Sequence, residues 1–425
     1  MIFYQLSHHF SRLWHISCNL HFQIEINTNH SLFMKILHTS DWHLGHTLYG
    51  FDRTEEQSGM LNQMEEIVKK HRPDVFLICG DVYHTSQPSN AVQTMFANAL
   101  VRIHNANPEM AIVITAGNHD SATKHDIFRT PWRALNVFTI GNISTEAREG
   151  TNYNDHIIEI PGKGFILAVP YVSERNMPDM FYQHLLEEVE KRNTENLPVV
   201  LTAHTTVRGC DITGHDSTVK DSIGGIDYCD VAQFGSGYDY LALGHIHKPQ
   251  YVHTGKHNVR YCGTPLPISF DECFEHSITM VEIEHHGKQP IYETFEISNP
   301  HPLVTLPSQG FETWENAKSL LEDFPDNIPA YIRLNVMVKD FLPSTASSEA
   351  AEIAKNKKCR FCYINAHRNA IENNITTGMT IQEFKAEDPL QIAKRYAADS
   401  NKLFDEDMEI LFKEVLQLID EKNRD

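Results

Sequence analysis

The sequence of 425 residues lacks any run of eighteen or more apolar residues, so no stretch of it reads as a membrane-spanning helix. It also lacks a G-x-x-x-x-G-K-[ST] loop, so any dependence on ATP has to come from another chain. Basic residues are few, with 36 Lys and Arg against 56 Asp and Glu, a net charge of −20. That deficit argues against an autonomous nucleic-acid-binding surface, whose footprint is basic. It leaves open carboxylates that hold metal ions and a partner that brings the basic surface. The eight cysteines (Cys18, Cys79, Cys210, Cys229, Cys262, Cys273, Cys359 and Cys362) show no disulfide-scaffold spacing, which points to a reducing, cytoplasmic setting. Cys359-x-x-Cys362 has no second pair to complete four zinc ligands and is expected to be structural. Residues 1–33 lack both a continuous apolar core and a small-residue cleavage site, so they do not read as a secretory signal. Met34 stands directly before the first strand-like run. It is the expected true start, with 1–33 a misplaced start or a disordered leader.

What is present begins there. Five short apolar runs each end in a polar cluster: Lys35–Thr39 before Ser40-Asp41-Trp42-His43, Asp74–Cys79 before Gly80-Asp81, Ala111–Ala116 before Gly117-Asn118-His119-Asp120, Pro198–Ala203 before His204, and Asp239–Leu243 before Gly244-His245-Ile246-His247. Runs of this length rich in Val, Ile and Leu are buried strands. Thr54–Lys70 and Asn90–His104 carry a helical period between them, so strands alternate with helices in an α/β arrangement. Ligands gather at the carboxyl ends of strands in such sheets, where all five clusters fall.

The residue types in those clusters suggest metal chemistry. Asp41 and His43, two apart in a segment expected to be extended, are predicted to point the same way; His245 and His247 repeat the spacing with Ile246 turned away. Asp81, Asn118 and His204 add a carboxylate, an amide oxygen and an imidazole. Oxygen and nitrogen donors without thiolate suit manganese, iron or zinc better than an iron–sulfur cluster, and the imidazole content is high for calcium. Seven donors exceed one tetrahedral ion and match two, the usual clamp for in-line attack on a phosphoester. Asp81 is the expected bridge. Gly80, Gly117 and Gly244 are expected to let the backbone turn sharply before the ligands. With 26 histidines, isolated D-x-H or H-x-H pairs carry little weight. The weight lies in their joint occurrence, in order, at strand ends.

DxH, GD, GNHD, H and GHxH are together the signature of the calcineurin-like metallophosphoesterase superfamily. KILHTSDWHLGHTLYGFDRTEEQ, GDVYHTSQPS, GNHDS, GHIHKPQ and YCGTPLPISFDE resemble the SbcD nuclease branch, strongly from Met34 to about Ile297 and more weakly beyond. The resemblance implies a metallophosphoesterase β-sandwich flanked by helices. It also implies that Asp41, His43 and His247 hold one ion, that Asn118, His204 and His245 hold the other, and that Asp81 lies between, with Mn²⁺ the implied metal. His119 would stabilise the phosphate and protonate the leaving oxygen, oriented by Asp120. His84, where some relatives carry aspartate, is assigned to substrate or to supporting contacts. The implied reaction is in-line attack by hydroxide, with both ions sharing the developing charge. Lys124, Arg129 and Arg133 would either meet DNA phosphates or form a solvated helix face.

The expected organisation is a nuclease domain over 34–298, a small α+β capping domain over 299–370 and a helical partner-binding segment over 371–425. Asp388-Pro389 is a good helix opening. Phe404, Met408, Leu411, Phe412, Val415, Leu418 and Ile419 then make one apolar stripe. By resemblance that stripe docks on the coiled coil of an SbcC-type ATPase, within a heterotetramer built on a homodimer, for DNA repair, recombination and replication. The resemblance implies double-strand exonuclease and single-strand and hairpin endonuclease activity. The alternative is a stand-alone metallophosphatase or phosphodiesterase acting on a small phosphoester, for which the capping unit and the stripe have no role.

Overall fold

The structure is a computed structural model that describes residues 33–214, 228–252, 257–338 and 341–368, together with 390–391, 393–394, 404 and 408–413. It divides into two compact units, Met1–His367 and Arg368–Asp425.

The first unit is a sandwich of two six-stranded sheets. In the first sheet, β1 (Met34–Thr39), β2 (Val75–Cys79), β3 (Ala111–Thr115) and β4 (Val137–Ile140) run parallel. The second contains β5 (Ile157–Ile160), β6 (Gly164–Leu167), β7 (Val199–His204) and β10 (Tyr240–Gly244), of which β6, β7 and β10 are parallel. A two-stranded pair, β8 (Thr206–Val207) and β9 (Tyr228–Cys229), lies between them in sequence. β11 (Gln250–Tyr251) and β12 (Val259–Tyr261) complete the second sheet. β13 (Ser277–Ile283) and β14 (Ile291–Glu296) close the first, with β13 antiparallel to β1.

Strand alternation builds three layers of core. Ile36, Val75, Leu77 and Val113 face Ile166, Val200, Tyr240 and Ala242 between the sheets. Leu37, Phe76, Ile78, Ile112 and Ile114 point outward against helices α1 (Thr54–His71) and α2 (Asn90–Ala106). On the other side Leu167, Leu201, Leu241 and Leu243 pack on α3 (Phe181–Arg192) through Leu185, Leu186 and Val189. Because both faces of the central strands are covered, they read as unbroken apolar runs. α1 buries Met60, Leu61, Met64 and Val68 on one stripe, with Glu55 and Glu56 in its first turn and Lys69, Lys70 and His71 in its last, in the sense the helix dipole favours. α2 starts where Ser89 Oγ accepts the Val92 N–H at 3.3 Å.

A smaller layer follows in the same unit. β15 (Leu303–Leu306), β16 (Tyr331–Val338) and β17 (Arg360–Arg368) form a three-stranded sheet covered by α4 (Trp314–Glu322) and α5 (Ala346–Ala354). Most of the Ser/Ala-rich stretch Ser344–Ala354 is the helix α5.

In the second unit, residues 408–413 are helical, Met408 and Leu411 are exposed, and the Phe404 and Phe412 rings lie 6.3 Å apart. Asp388, Pro389, Val415, Leu418 and Ile419 lie outside the described residues. No helix among the described residues is long and apolar enough to cross a membrane.

Candidate metal centre

Parallel strands bring their carboxyl ends to one edge of each sheet, and the two edges meet over a common cleft. Asp41, Asp81 and Asn118 follow β1, β2 and β3, while His204 ends β7 and His245 follows β10. The turn into the cleft is left-handed rather than extended: φ is 54° at Asp41, 45° at His43, 52° at Asp81 and 94° at His245. For residues bearing a Cβ this conformation is unfavourable, on the order of 1–3 kcal/mol each, and it persists only where surrounding contacts over-determine it. Those contacts are visible. Asp41 N donates to the Gly80 carbonyl at 3.0 Å, His43 N to Asp81 O at 3.0 Å and Leu44 N to Val82 O at 2.9 Å. The expectation of an extended D-x-H segment is therefore corrected, although both side chains still bring ligand atoms within 4.8 Å of each other. Ile246 turns into the core as expected. Of the glycines before the ligands, Gly80 has φ +87°, which the expected sharp turn requires. Gly117 is needed for closeness instead, since a Cβ there would sit 2.1 Å from Asp81 Oδ1.

Six of the seven expected donors are interlocked at short range around Asp81 and Asn118. His43 Nε2 faces His247 Nε2 at 3.3 Å. Asp81 Oδ2 is 3.4 Å from His204 Nε2 and 3.9 Å from His43 Nε2. Asn118 Oδ1 is 3.0 Å from His204 Nε2 and 3.1 Å from His245 Nδ1. The seventh, Asp41, receives the His245 N–H on its carboxylate at 3.1 Å and the Ser40 hydroxyl at 2.5 Å. Three triads bring ligand atoms within 4.8 Å of one another: Asp41 with His43 and His247, Asp41 with Asp81 and His204, and His43 with His84 and His119. Asp41 is common to the first two of these.

The donor set fits divalent cations. His204 Nδ1 donates to the Cys79 carbonyl at 2.9 Å and His247 Nδ1 to Glu272 Oε1 at 2.8 Å, so in their neutral forms both rings present Nε2 lone pairs to the cleft. His204 Nε2 then faces the Asn118 and Asp81 oxygens, acceptor against acceptor, which only a proton or a cation between them relieves. The titration behaviour carries the same message. Burial alone would lower His204, yet the Asp81 and Asp41 carboxylates push it up to about 9. His247 is raised by Glu272, Asp41 and Asp81 against the same burial. His43 is pushed well down by burial first and then by His247, His119 and His84. Burial raises Asp41. The carboxylates that lift His204 and His247 against burial leave negative charge at the centre that a cation would offset.

His119 stands beside this cluster, its ring 4.9 Å from that of His43. Its Nδ1 donates to the His84 carbonyl at 2.9 Å, which leaves Nε2 toward the cleft. Asp120, expected to orient His119, does something else. Its carboxylate accepts the N–H groups of Gly117 (2.9 Å), Tyr83 (2.9 Å) and Val82 (3.2 Å), tying the GD and GNHD loops together. The His84 ring stacks on His119 at 5.8 Å and meets His46 at 4.7 Å. Lys124 donates to Ser86 O and Gln87 Oε1, Arg129 pairs with Asp155 and Asp126, and Arg133 lies 3.9 Å over the Phe138 ring. All three are thus engaged within the chain. Cys359 is buried, and neither it nor Cys362 belongs to a metal-ligating group among the described residues. Glu272 and His46 were missed by the sequence reading. The signal for Glu272 was the glutamate closing YCGTPLPISFDE, and His46 lies in the opening HLGH.

The chain belongs to the calcineurin-like phosphoesterase family, whose model matches residues 34–249. A phosphoesterase of that fold carrying clustered Asp and His ligands is a hydrolase of phosphodiester bonds with a two-metal catalytic site. Within the family it is homologous to the D subunits of SbcCD nucleases. It is 30% identical to that of Rhodobacter capsulatus over 301 residues, 65% of this chain and 72% of the relative. It is 28% identical to that of Escherichia coli K12 over 299 residues, 64% and 70% of the two chains. With the subunit of Bacillus subtilis it shares 28% over 334 residues, 73% and 80%.

Proposed function

We propose that this chain is the nuclease subunit of an SbcCD-type complex, cutting DNA at double-strand ends, in hairpins and in single strands, with two Mn²⁺ ions. The single observation that carries the reading is the convergence of Asp41, His43, Asp81, Asn118, His204, His245 and His247 at the mouth of one cleft, with His119 beside them. Asp41, His43 and His247 would hold one ion and Asn118, His204 and His245 the other, with Asp81 between them. Divalent ions held there would acidify water near neutral pH and offset charge at phosphorus. The chain supplies the remaining work. His119 Nε2 gives a proton to the leaving oxygen, and the Nδ1 bond to the His84 carbonyl fixes the ring for that task. Glu272 fixes His247, and the Cys79 carbonyl fixes His204.

The net charge of −20 assigns DNA attraction to a partner. Residues 299–370 act as a cap over the cleft. The apolar stripe from Phe404 to Ile419 is the docking face for the coiled coil of an SbcC-type ATPase. A second reading has one observation in its favour: the cleft has a volume of 910 Å³, the size of a small-molecule site. That reading is a phosphodiesterase acting on a small phosphoester.

The deciding experiment is cleavage of a labelled DNA hairpin and duplex with Mn²⁺, with and without the ATPase partner. Wild type is expected to cut both, and His119→Ala to cut about 10²–10⁴-fold more slowly. Turnover of a small phosphodiester with no DNA cut under any condition would overturn the nuclease in favour of the second reading.

A further inference from the structure

The small three-stranded sheet reaches the metal centre through a buried carboxylate. Glu56, in the first turn of α1, is 1% exposed. Arg53 Nε donates to its Oε2 at 2.6 Å, the Tyr331 hydroxyl on β16 donates to its Oε1 at 2.6 Å, and His301 Nδ1 lies 3.5 Å from Oε1. Arg360 on β17 donates in turn to the Tyr331 oxygen at 2.7 Å. A carboxylate this deep is tolerable only with such partners, and two of them, Tyr331 and Arg360 (3.8 Å from Oε1), belong to the small sheet.

The other side of the same ion pair faces the cleft. Arg53 Nη1 donates to the Pro267 carbonyl at 2.6 Å and lies 3.4 Å from His46 Nδ1. From His46 the imidazoles run as a row through His84 to His119, with ring centroids 4.7 Å and then 5.8 Å apart. Gln57, one residue after Glu56, accepts the Gly45 N–H at 3.0 Å and donates to the His46 carbonyl at 3.3 Å, so one helical turn holds the whole loop. Neither the metal ligands nor the proposed proton transfer uses Glu56, Arg53 or Tyr331.

We propose that Glu56 and Tyr331 are positioning residues for the leaving-group proton. The small sheet holds Arg53 through Glu56, Arg53 holds His46, and the imidazole row sets where His119 Nε2 stands. The small sheet is then part of the catalytic geometry and not an appendage to it. The inference rests on the reading of His119 as proton donor. The step it affects is one bond-breaking event: the P–O bond to the leaving oxygen breaks as the proton on Nε2 passes to that oxygen.

The test compares leaving groups, using the full chain with Mn²⁺ and the variants Tyr331→Phe and Glu56→Gln. DNA and a cyclic nucleotide expel an alkoxide that needs a proton, whereas a p-nitrophenyl phosphodiester expels a phenolate that does not. Both variants are expected to lose about tenfold in kcat on the alkoxide substrates, with KM unchanged, because a small misplacement of a catalytic group is expensive in rate. Turnover of the nitrophenyl ester should stay at the wild-type value. Equal losses on both kinds of substrate would show a merely structural role, and no loss on either would remove any role; both outcomes overturn the proposal. Tyr331→Phe deletes a single hydroxyl, so it keeps the test open if Glu56→Gln does not fold. If wild type ignores DNA but cleaves the cyclic nucleotide, the nuclease reading fails and the same leaving-group comparison still decides this one.

Discussion

At the scale of single residues, His247 shows how a ligand depends on what stands behind it. Its Nδ1 donates to Glu272, whose side chain is wholly buried, and Glu272 Oε2 is in turn held by the Ile268 N–H at 3.0 Å. Glu272→Gln keeps the shape and removes the charge that makes the imidazole a better donor. Supporting partners of this kind are worth roughly 10–100-fold in metal affinity, so a loss of about tenfold in Mn²⁺ affinity is expected, read by calorimetric titration. Unchanged affinity would show that Glu272 only fills space. The seven donors were legible in the sequence because strand ends announce themselves by an abrupt change from apolar to polar. Their backbone was not. Nothing in Asp41, His43, Asp81 or His245 signals a left-handed φ, a conformation that non-glycine residues seldom adopt and that here is held by hydrogen bonds to other loops. Asp120 illustrates the same limit. Its carboxylate does meet an imidazole, but that of His125 at 3.6 Å, and three backbone N–H groups from two loops hold it.

At the scale of elements, five of the twelve sandwich strands were legible as apolar runs and the long helices α1 and α2 from their period, while α5 was not. Its composition of Ser and Ala lacks an obvious apolar stripe, so it reads as a joining segment. The stripe exists in small form. Ala346, Ala350 and Ala354 recur at helical spacing, all buried, and share a cluster with Trp314, Ala317 and Leu321 of α4. Small side chains let the two helices approach closely over the small sheet. Ala350→Leu adds volume at that contact, where overpacking destabilises by about 1–3 kcal/mol. The expected outcome is a lower midpoint of thermal unfolding with Mn²⁺ affinity retained, because the ligands lie on other elements. A midpoint equal to wild type would mean the helices have room to spare. Pairing of strands was likewise beyond pattern reading: β13 returns antiparallel to β1 after more than two hundred residues, by contacts that no local signal encodes.

At the scale of the whole molecule, the two sheets are joined by a polar contact within an apolar layer, and it sets a limit on acid stability. His38 on β1 is fully buried, with Nδ1 2.8 Å from the Tyr240 hydroxyl on β10 of the facing sheet. Burial first, and then the charge of Arg260, lower its pKa from 6.5 to about 3. His156, buried with Nδ1 donating to the Ala168 carbonyl at 2.9 Å, is also lowered, again chiefly by burial. The sign follows from linkage. Above pH 6.5 both states are neutral at His38 and the group adds no pH dependence. Below it the unfolded chain takes up a proton that the folded chain refuses until about pH 3, so unfolding is favoured progressively across that window. One proton taken up only by the unfolded chain is worth about 1.4 kcal/mol per pH unit, so His38 alone removes about 2 kcal/mol between pH 6.5 and pH 5. Urea unfolding at pH 7 and pH 5, followed by tryptophan fluorescence, is expected to show that loss in wild type. His38→Gln should show a smaller difference between the two pH values, whatever its stability at pH 7. An identical difference in the variant would mean that His38 takes up its proton without unfolding, and that the layer between the sheets opens enough in acid to admit the charge.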